Sequence, residues 1–141
     1  MSSVTQMLGV IRVETHVLDD LLVHARITPK TECCGLLAGR DGTISVVLLA
    51  RNALDTATAY EIAPAELFAL FRRIREQKLD HVGIYHSHPD TDNTPSPADI
   101  ERAYYPDVAY FIVSPRPDAA RPVRAFHIAN GRADELSIEM A

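Results

Sequence analysis

Cysteine is scarce: the chain has two among 141 residues, and they are neighbours, Cys33 and Cys34. Adjacent cysteines cannot staple distant parts of a fold, so a disulfide scaffold is excluded and a reducing cytoplasm is the expected compartment. Long apolar runs are missing too. None approaches the roughly 20 residues of a membrane span, so no membrane partner is expected. The opening stretch MSSVTQMLGVIRVETH has no basic leader, long apolar core or small-residue cleavage site, so no secretion signal is expected either. Positive charge is in deficit. Lys and Arg total 14 against 19 Asp and Glu, a net charge of −5, which argues against nucleic acid as the main partner. The local cluster Arg72, Arg73, Arg75 and Lys78 reads as a solvated helix face. Internal repeats and low-complexity tracts are absent.

What is present is ordinary globular material, 47% hydrophobic and 23% charged. The length suits one domain over residues 1–141, large enough to bury a core without staples. Residues 7–13 read as a strand. Val17, Leu18, Leu21, Leu22 and Ala25 then trace one face of an amphipathic helix that ends before Pro29. The runs CCGLLAG and TISVVLLA, joined through Asp41-Gly42, form a hairpin. Pro64 opens a second helix, whose stripe of Leu67, Phe68, Leu70, Phe71 and Ile74 is expected to be buried. Next come a strand at 81–87, a loop at 89–95, a short helix at 96–103 and a strand at 108–113. A proline-rich turn leads to VRAFHIAN, and Asn130-Gly131 turns the chain into LSIEM. The class is α/β, a mixed sheet flanked by helices.

Chemistry concentrates in GIYHSHPDTDNTPSPAD, residues 83–99. On a strand, His86 and His88 project from one side. Two imidazoles at that spacing can converge on one ion at about 2.0–2.1 Å, and Pro89 ends the strand where solvent reaches it. A catalytic zinc takes three protein ligands and keeps one position for water. Asp99, on the helix start Ser96-Pro97-Ala98-Asp99, is the best third ligand. Each piece alone has a plain structural alternative: Ser96 and Asp99 as a helix cap, the histidines as a polar strand end. Together they favour a metal. Cys33 and Cys34 read as buried small hydrophobes. His16, His24, His81 and His127 lack partners at ligand spacing and read as surface or satisfied histidines. Asp90 and Asp92 read as solvated loop carboxylates near the site.

His86-Ser87-His88-Pro89, followed by Ser96-x-x-Asp99 and preceded by Glu32 before Cys33-Cys34-Gly35-Leu36-Leu37, resembles the signature of the JAMM (MPN-plus) metalloproteases. The motif runs from residue 32 to 99 with no position substituted. The resemblance implies a JAMM/MPN fold, similar in architecture to the cytidine deaminases, and one Zn2+ per chain with a bound water. His86, His88 and Asp99 would ligate the zinc, Glu32 would act as general base, and Ser96 would donate to the oxyanion. The base also follows from chemistry, since zinc brings the pKa of its water to about 7, where a carboxylate can take the proton.

The compact chain is similar to prokaryotic members that act on small ubiquitin-fold sulfur carriers. The implied function is hydrolysis of an amide bond after a Gly-Gly tail, with that carrier or its conjugate as partner. A non-catalytic MPN-type binding module is the first alternative, and the complete residue set argues against it. A small-amide zinc hydrolase is the second. A deaminase would show H-x-E with a later P-C-x-x-C, and neither is present.

Overall fold

The computed structural model describes residues 9–141, in the order β1 (Val10–Val13), α1 (Thr15–Ile27), β2 (Cys34–Arg40), β3 (Thr43–Ala50), α2 (Pro64–Glu76), β4 (Asp80–Ser87), α3 (Pro97–Glu101), β5 (Ala109–Val113), β6 (Val123–Ala129) and β7 (Arg132–Met140). Residues 7 and 8 of the expected first strand lie outside the described residues. Both expected hairpin turns form. Asp41 and Gly42 have φ of 54° and 76°, and Asn130 and Gly131 have 56° and 73°. Two consecutive positive φ values suit the tight turn that matches strand twist. Asn130-Gly131 joins β6 to a last strand that starts at Arg132, earlier than the LSIEM run suggested.

The sheet is mixed, as the sequence indicates, but it closes on itself. β1 pairs in parallel with both β3 and β7, completing the ring β1-β3-β2-β4-β5-β6-β7. Closure is short on the β3 side, where only Thr43 and Ile44 pair with β1. The sheet carries a core on each face. On one, α1 packs Val17, Leu21 and Ala25 against Ile11, Leu37, Tyr85 and Phe111. On the other, α2 packs Leu70 and Ile74 against Leu36, Leu48, Ile84 and Ile112. The α2 stripe is narrower than its apolar residues suggest. Phe68 is 64% exposed and lies under the Arg72 guanidinium, 5.7 Å from the ring centroid. Arg72, Arg73, Arg75 and Lys78 are exposed, as expected of a solvated face.

One irregularity aims the site. Leu37 pairs with Gly83 but Ala38 pairs with His81, which leaves Val82 as an extra residue in β4. A bulge shifts the alternation by one, so Val82 joins the α1-side core while Ile84 joins the α2-side core. His86, two residues beyond Ile84, shares its face.

Candidate metal centre

His86 sits near the end of β4, where Cys34 of β2 and Ile112 of β5 flank it in register. Being inside the sheet, its backbone is fixed, and the residue is 2% exposed. His88 lies just past the strand, tied by its N–H to the Val113 carbonyl at 2.9 Å. Asp99 arrives from α3. Ser96 caps that helix, its Oγ accepting from the Asp99 N–H at 3.0 Å, while Asp99 Oδ2 accepts from the Ser96 N–H at 2.9 Å. The cap and the third polar group are therefore one device. The capping box satisfies orphan N–H groups at the helix start and aims the carboxylate.

The three side chains meet. His86 Nε2 and His88 Nε2 are 3.2 Å apart, His86 Nε2 is 3.2 Å from Asp99 Oδ1, and His88 Nε2 is 3.0 Å from Asp99 Oδ2. Ligands at about 2.0–2.1 Å in a tetrahedron stand roughly 3.3 Å from one another. Two imidazole nitrogens and a carboxylate oxygen at these separations are compatible with a metal ion. Without one, burial works to lower the basicity of His88. Its bonds to Asp99 and the Asp92 carbonyl, with the Asp99 and Glu32 charges, outweigh that and raise it. His86 is lowered by burial, which its bond to Asp99 only partly offsets. Burial would raise Asp99, yet the bonds from His86, His88 and the Ser96 N–H hold its carboxyl well below the usual carboxylate range.

Glu32 lies on the link between α1 and β2, outside the cluster that could share an ion. It is 3% exposed, and among the described residues Oε1 has no hydrogen-bond partner. Burial pushes its carboxyl up to about 7, with His88 lowering and Asp99 raising it. A carboxylate poised near neutrality beside a possible metal site has the acidity a general base needs. Among the described residues Ser96 Oγ accepts from the Asp99 N–H, which leaves its hydroxyl proton free to be given elsewhere.

Beside His86 and Asp99 opens a groove of about 500 Å³ between the 54–64 segment and α3. Leu54, Tyr60, Ile62, Leu67 and Tyr104 line its apolar walls, and Arg102 stands at the rim. Three site features have no motif to announce them. The Asp92 carbonyl accepts from His88 Nδ1 at 2.7 Å, Tyr60 stacks on His86, and buried Asn52 organises the segment before α2. Asn52 has one legible sign: its Oδ1 accepts from the Leu54 N–H at 3.0 Å, an Asx turn.

The remaining candidates fall as expected, with one difference. Cys33 and Cys34 are buried, and burial pushes their thiols up to about 11 and about 12, so both stay protonated and unreactive. His16 is exposed between Glu14 and Asp20, His24 bonds the Tyr85 hydroxyl at 2.7 Å, and His127 bonds the Pro106 carbonyl. His81 differs: its Nε2 is buried without a partner while the ring packs against Phe71 and Tyr105. Asp92 is a solvated carboxylate, paired at the surface with Arg116. Among the described residues no helix is long and apolar enough to cross a membrane.

The profile of the family described as prokaryotic homologues of the JAB domain matches residues 14–129, a segment that holds all of Glu32, His86, His88, Ser96 and Asp99. A desampylase of Haloferax volcanii is 38% identical over 104 residues, 69% of this chain and 75% of that protein. A CysO-cysteine peptidase of Mycobacterium tuberculosis is 30% identical over 133 residues, 93% of this chain and 91% of that protein. The solved structure of a protein from Desulfitobacterium hafniense superposes with a TM-score of 0.82 at 29% identity, covering 93% of this chain and 92% of that one. The chain belongs to the JAB-domain family of prokaryotes, the JAMM-type fold that its Glu, His-x-His and Ser-x-x-Asp signature resembles.

Proposed function

We propose that this chain, as a single domain, is a zinc-dependent peptidase that hydrolyses the amide bond after the Gly-Gly tail of a small ubiquitin-fold sulfur carrier, or of a conjugate of that carrier. The observation that carries it is the convergence of His86, His88 and Asp99, with ligand atoms within 4.8 Å of one another, near a buried carboxylate with an unpartnered oxygen. Those three residues would hold one Zn2+. Bound there, zinc supplies a Lewis acid and lowers the pKa of its water to about 7. Glu32 takes the proton of the attacking water and passes it to the leaving amine. The Ser96 hydroxyl donates to the oxyanion as the carbonyl carbon becomes tetrahedral. The Asp92 carbonyl, accepting from Nδ1–H, keeps His88 in the tautomer whose unprotonated Nε2 faces the site.

The substrate class rests on the groove and on the relatives. The groove of about 500 Å³ opens beside His86, and a diglycine tail brings no side chains to clash with its walls. One relative is named a peptidase of CysO-cysteine and another a desampylase. The test is direct. A ubiquitin-fold carrier extended past its Gly-Gly is incubated with zinc-loaded protein and the products are weighed by mass spectrometry. Cleavage at the junction, stopped by a chelator, is expected. Robust cleavage of free dipeptides with no carrier cut would replace this reading with a small-amide hydrolase.

A further inference from the structure

We infer that Tyr60 is the positioning residue for His86, supplying by ring stacking the orientation that a hydrogen bond supplies for His88. The inference rests on reading both histidines as metal ligands. A ligating imidazole is ordinarily fixed by its second nitrogen, which donates to a carbonyl or carboxylate. His88 follows that pattern, with Nδ1 on the Asp92 carbonyl at 2.7 Å. His86 does not: its Nδ1 is buried with no hydrogen-bond partner among the described residues. The strand fixes the His86 backbone, but torsion about the bond to an imidazole ring is broad and soft. The Tyr60 ring lies over the imidazole at 4.6 Å between centroids and 20° from parallel. Tilting the imidazole would drive its edge into that face, so stacking fixes the ring plane, and of its two coplanar flips the one with Nε2 toward His88 and Asp99 is the one that can ligate.

Tyr60 belongs to neither strand nor helix, so something else must hold it. That anchor is Asn52. Its side-chain amide donates to the Ala59 carbonyl at 2.9 Å, and its oxygen accepts from the Glu61 N–H at 3.2 Å, gripping Tyr60 on both sides. The same amide donates to the Glu32 carbonyl at 3.0 Å, and the Glu32 N–H reaches the Thr56 carbonyl at 2.8 Å. One buried side chain thus ties the backbone of Glu32 and the ring that orients His86 to a common point. Because Tyr60 also lines the groove, whatever occupies the groove touches the ring that sets His86.

The test is zinc affinity, read by competition with a chromogenic chelator, for Tyr60→Phe, Tyr60→Leu and His86→Ala, with thermal melts alongside. Tyr60→Leu keeps an apolar side chain but no flat ring, and should weaken zinc binding by about 10–100-fold, the range for losing an outer-shell partner. Tyr60→Phe keeps the ring and should bind as the wild type does. A purely structural role would lower the melting temperature and leave the folded protein's zinc affinity unchanged. Wild-type affinity in folded Tyr60→Leu overturns the inference, as does an equal loss in Tyr60→Phe. If Tyr60→Leu does not fold, Tyr60→Met puts the same question. His86→Ala separates the two readings. Zinc lost there but kept in Tyr60→Leu removes only the positioning role, whereas zinc kept in His86→Ala removes the ligand assignment itself.

Discussion

Replacing Glu32 by glutamine separates the base from the ligands and has a consequence for stability as well. The side chain is 3% exposed, and burial raises its pKa from an ordinary 4.5 to about 7. Between those values the folded metal-free protein holds a proton that the unfolded chain has released. Stability therefore falls as pH rises from 4.5 to 7 and stays low above. At about 1.4 kcal/mol for each pH unit, the burial costs on the order of 3 kcal/mol at pH 8.5 but only ~1 kcal/mol at pH 5. Glutamine carries no charge, so chelated Glu32→Gln should melt above chelated wild type at pH 8.5, by a margin that shrinks toward pH 5. The unpartnered amide makes 3 kcal/mol an upper figure. With zinc present the variant should keep its metal, because Glu32 lies outside the cluster of ligand atoms. Turnover should nevertheless drop about 10²–10⁴-fold. Chelated melts at two pH values, metal analysis and single-turnover rates read all three effects. Wild-type turnover would refute the base, loss of zinc would make Glu32 a ligand, and a pH-independent melting difference would refute the buried charge.

Asp99→Ala should lose most bound zinc on metal analysis, since it removes a proposed ligand, the carboxylate whose Oδ1 faces His86 and whose Oδ2 faces His88. Ser96→Ala should cost about 1 kcal/mol for the lost cap, read by urea titration. The same variant should lower kcat more than KM, read in steady-state kinetics. Asp92→Asn should leave zinc affinity and turnover near wild type. Its carboxylate only pairs with Arg116 at the surface, while the carbonyl that holds His88 remains. Gly35→Ala should destabilise severely, by about 3 kcal/mol or more in denaturant, because a Cβ there meets the Leu48 carbonyl and the Tyr85 hydroxyl.

Most of the candidate site was legible because four of its polar residues are local, whereas Glu32, far upstream, was reached through the family resemblance. His86, His88, Ser96 and Asp99 fall within 14 residues, and strand alternation, a proline stop and a helix cap each constrain where they point. Element order was legible for a similar reason, since the Asp41-Gly42 and Asn130-Gly131 turns state their geometry in two residues. Closure of the sheet was not legible. The pairing of β1 with β3 and β7 joins segments far apart in sequence, and no local period encodes which strands become neighbours. The Val82 bulge is invisible for the same reason: it depends on register against Leu37 and Ala38. Phe68 has the spacing of a buried residue, yet α2 meets the sheet through only Leu70 and Ile74 among its fully buried positions. Tyr60 and Asn52 belong to the 52–60 stretch, which carries no apolar period. Their importance comes from what folds against them, His86 for one and the Glu32 carbonyl for the other.

Metal on His86, His88 and Asp99 is proposed to drive cleavage of a carrier tail. That role is tested most directly by adding zinc stepwise to chelator-treated protein while the product released from a Gly-Gly-extended carrier is followed by mass spectrometry. Activity should be absent at the start, rise in proportion to added zinc and level off at about one equivalent per chain. Full cleavage by the metal-free protein, or a chain saturated with zinc that leaves the carrier intact, would contradict the account.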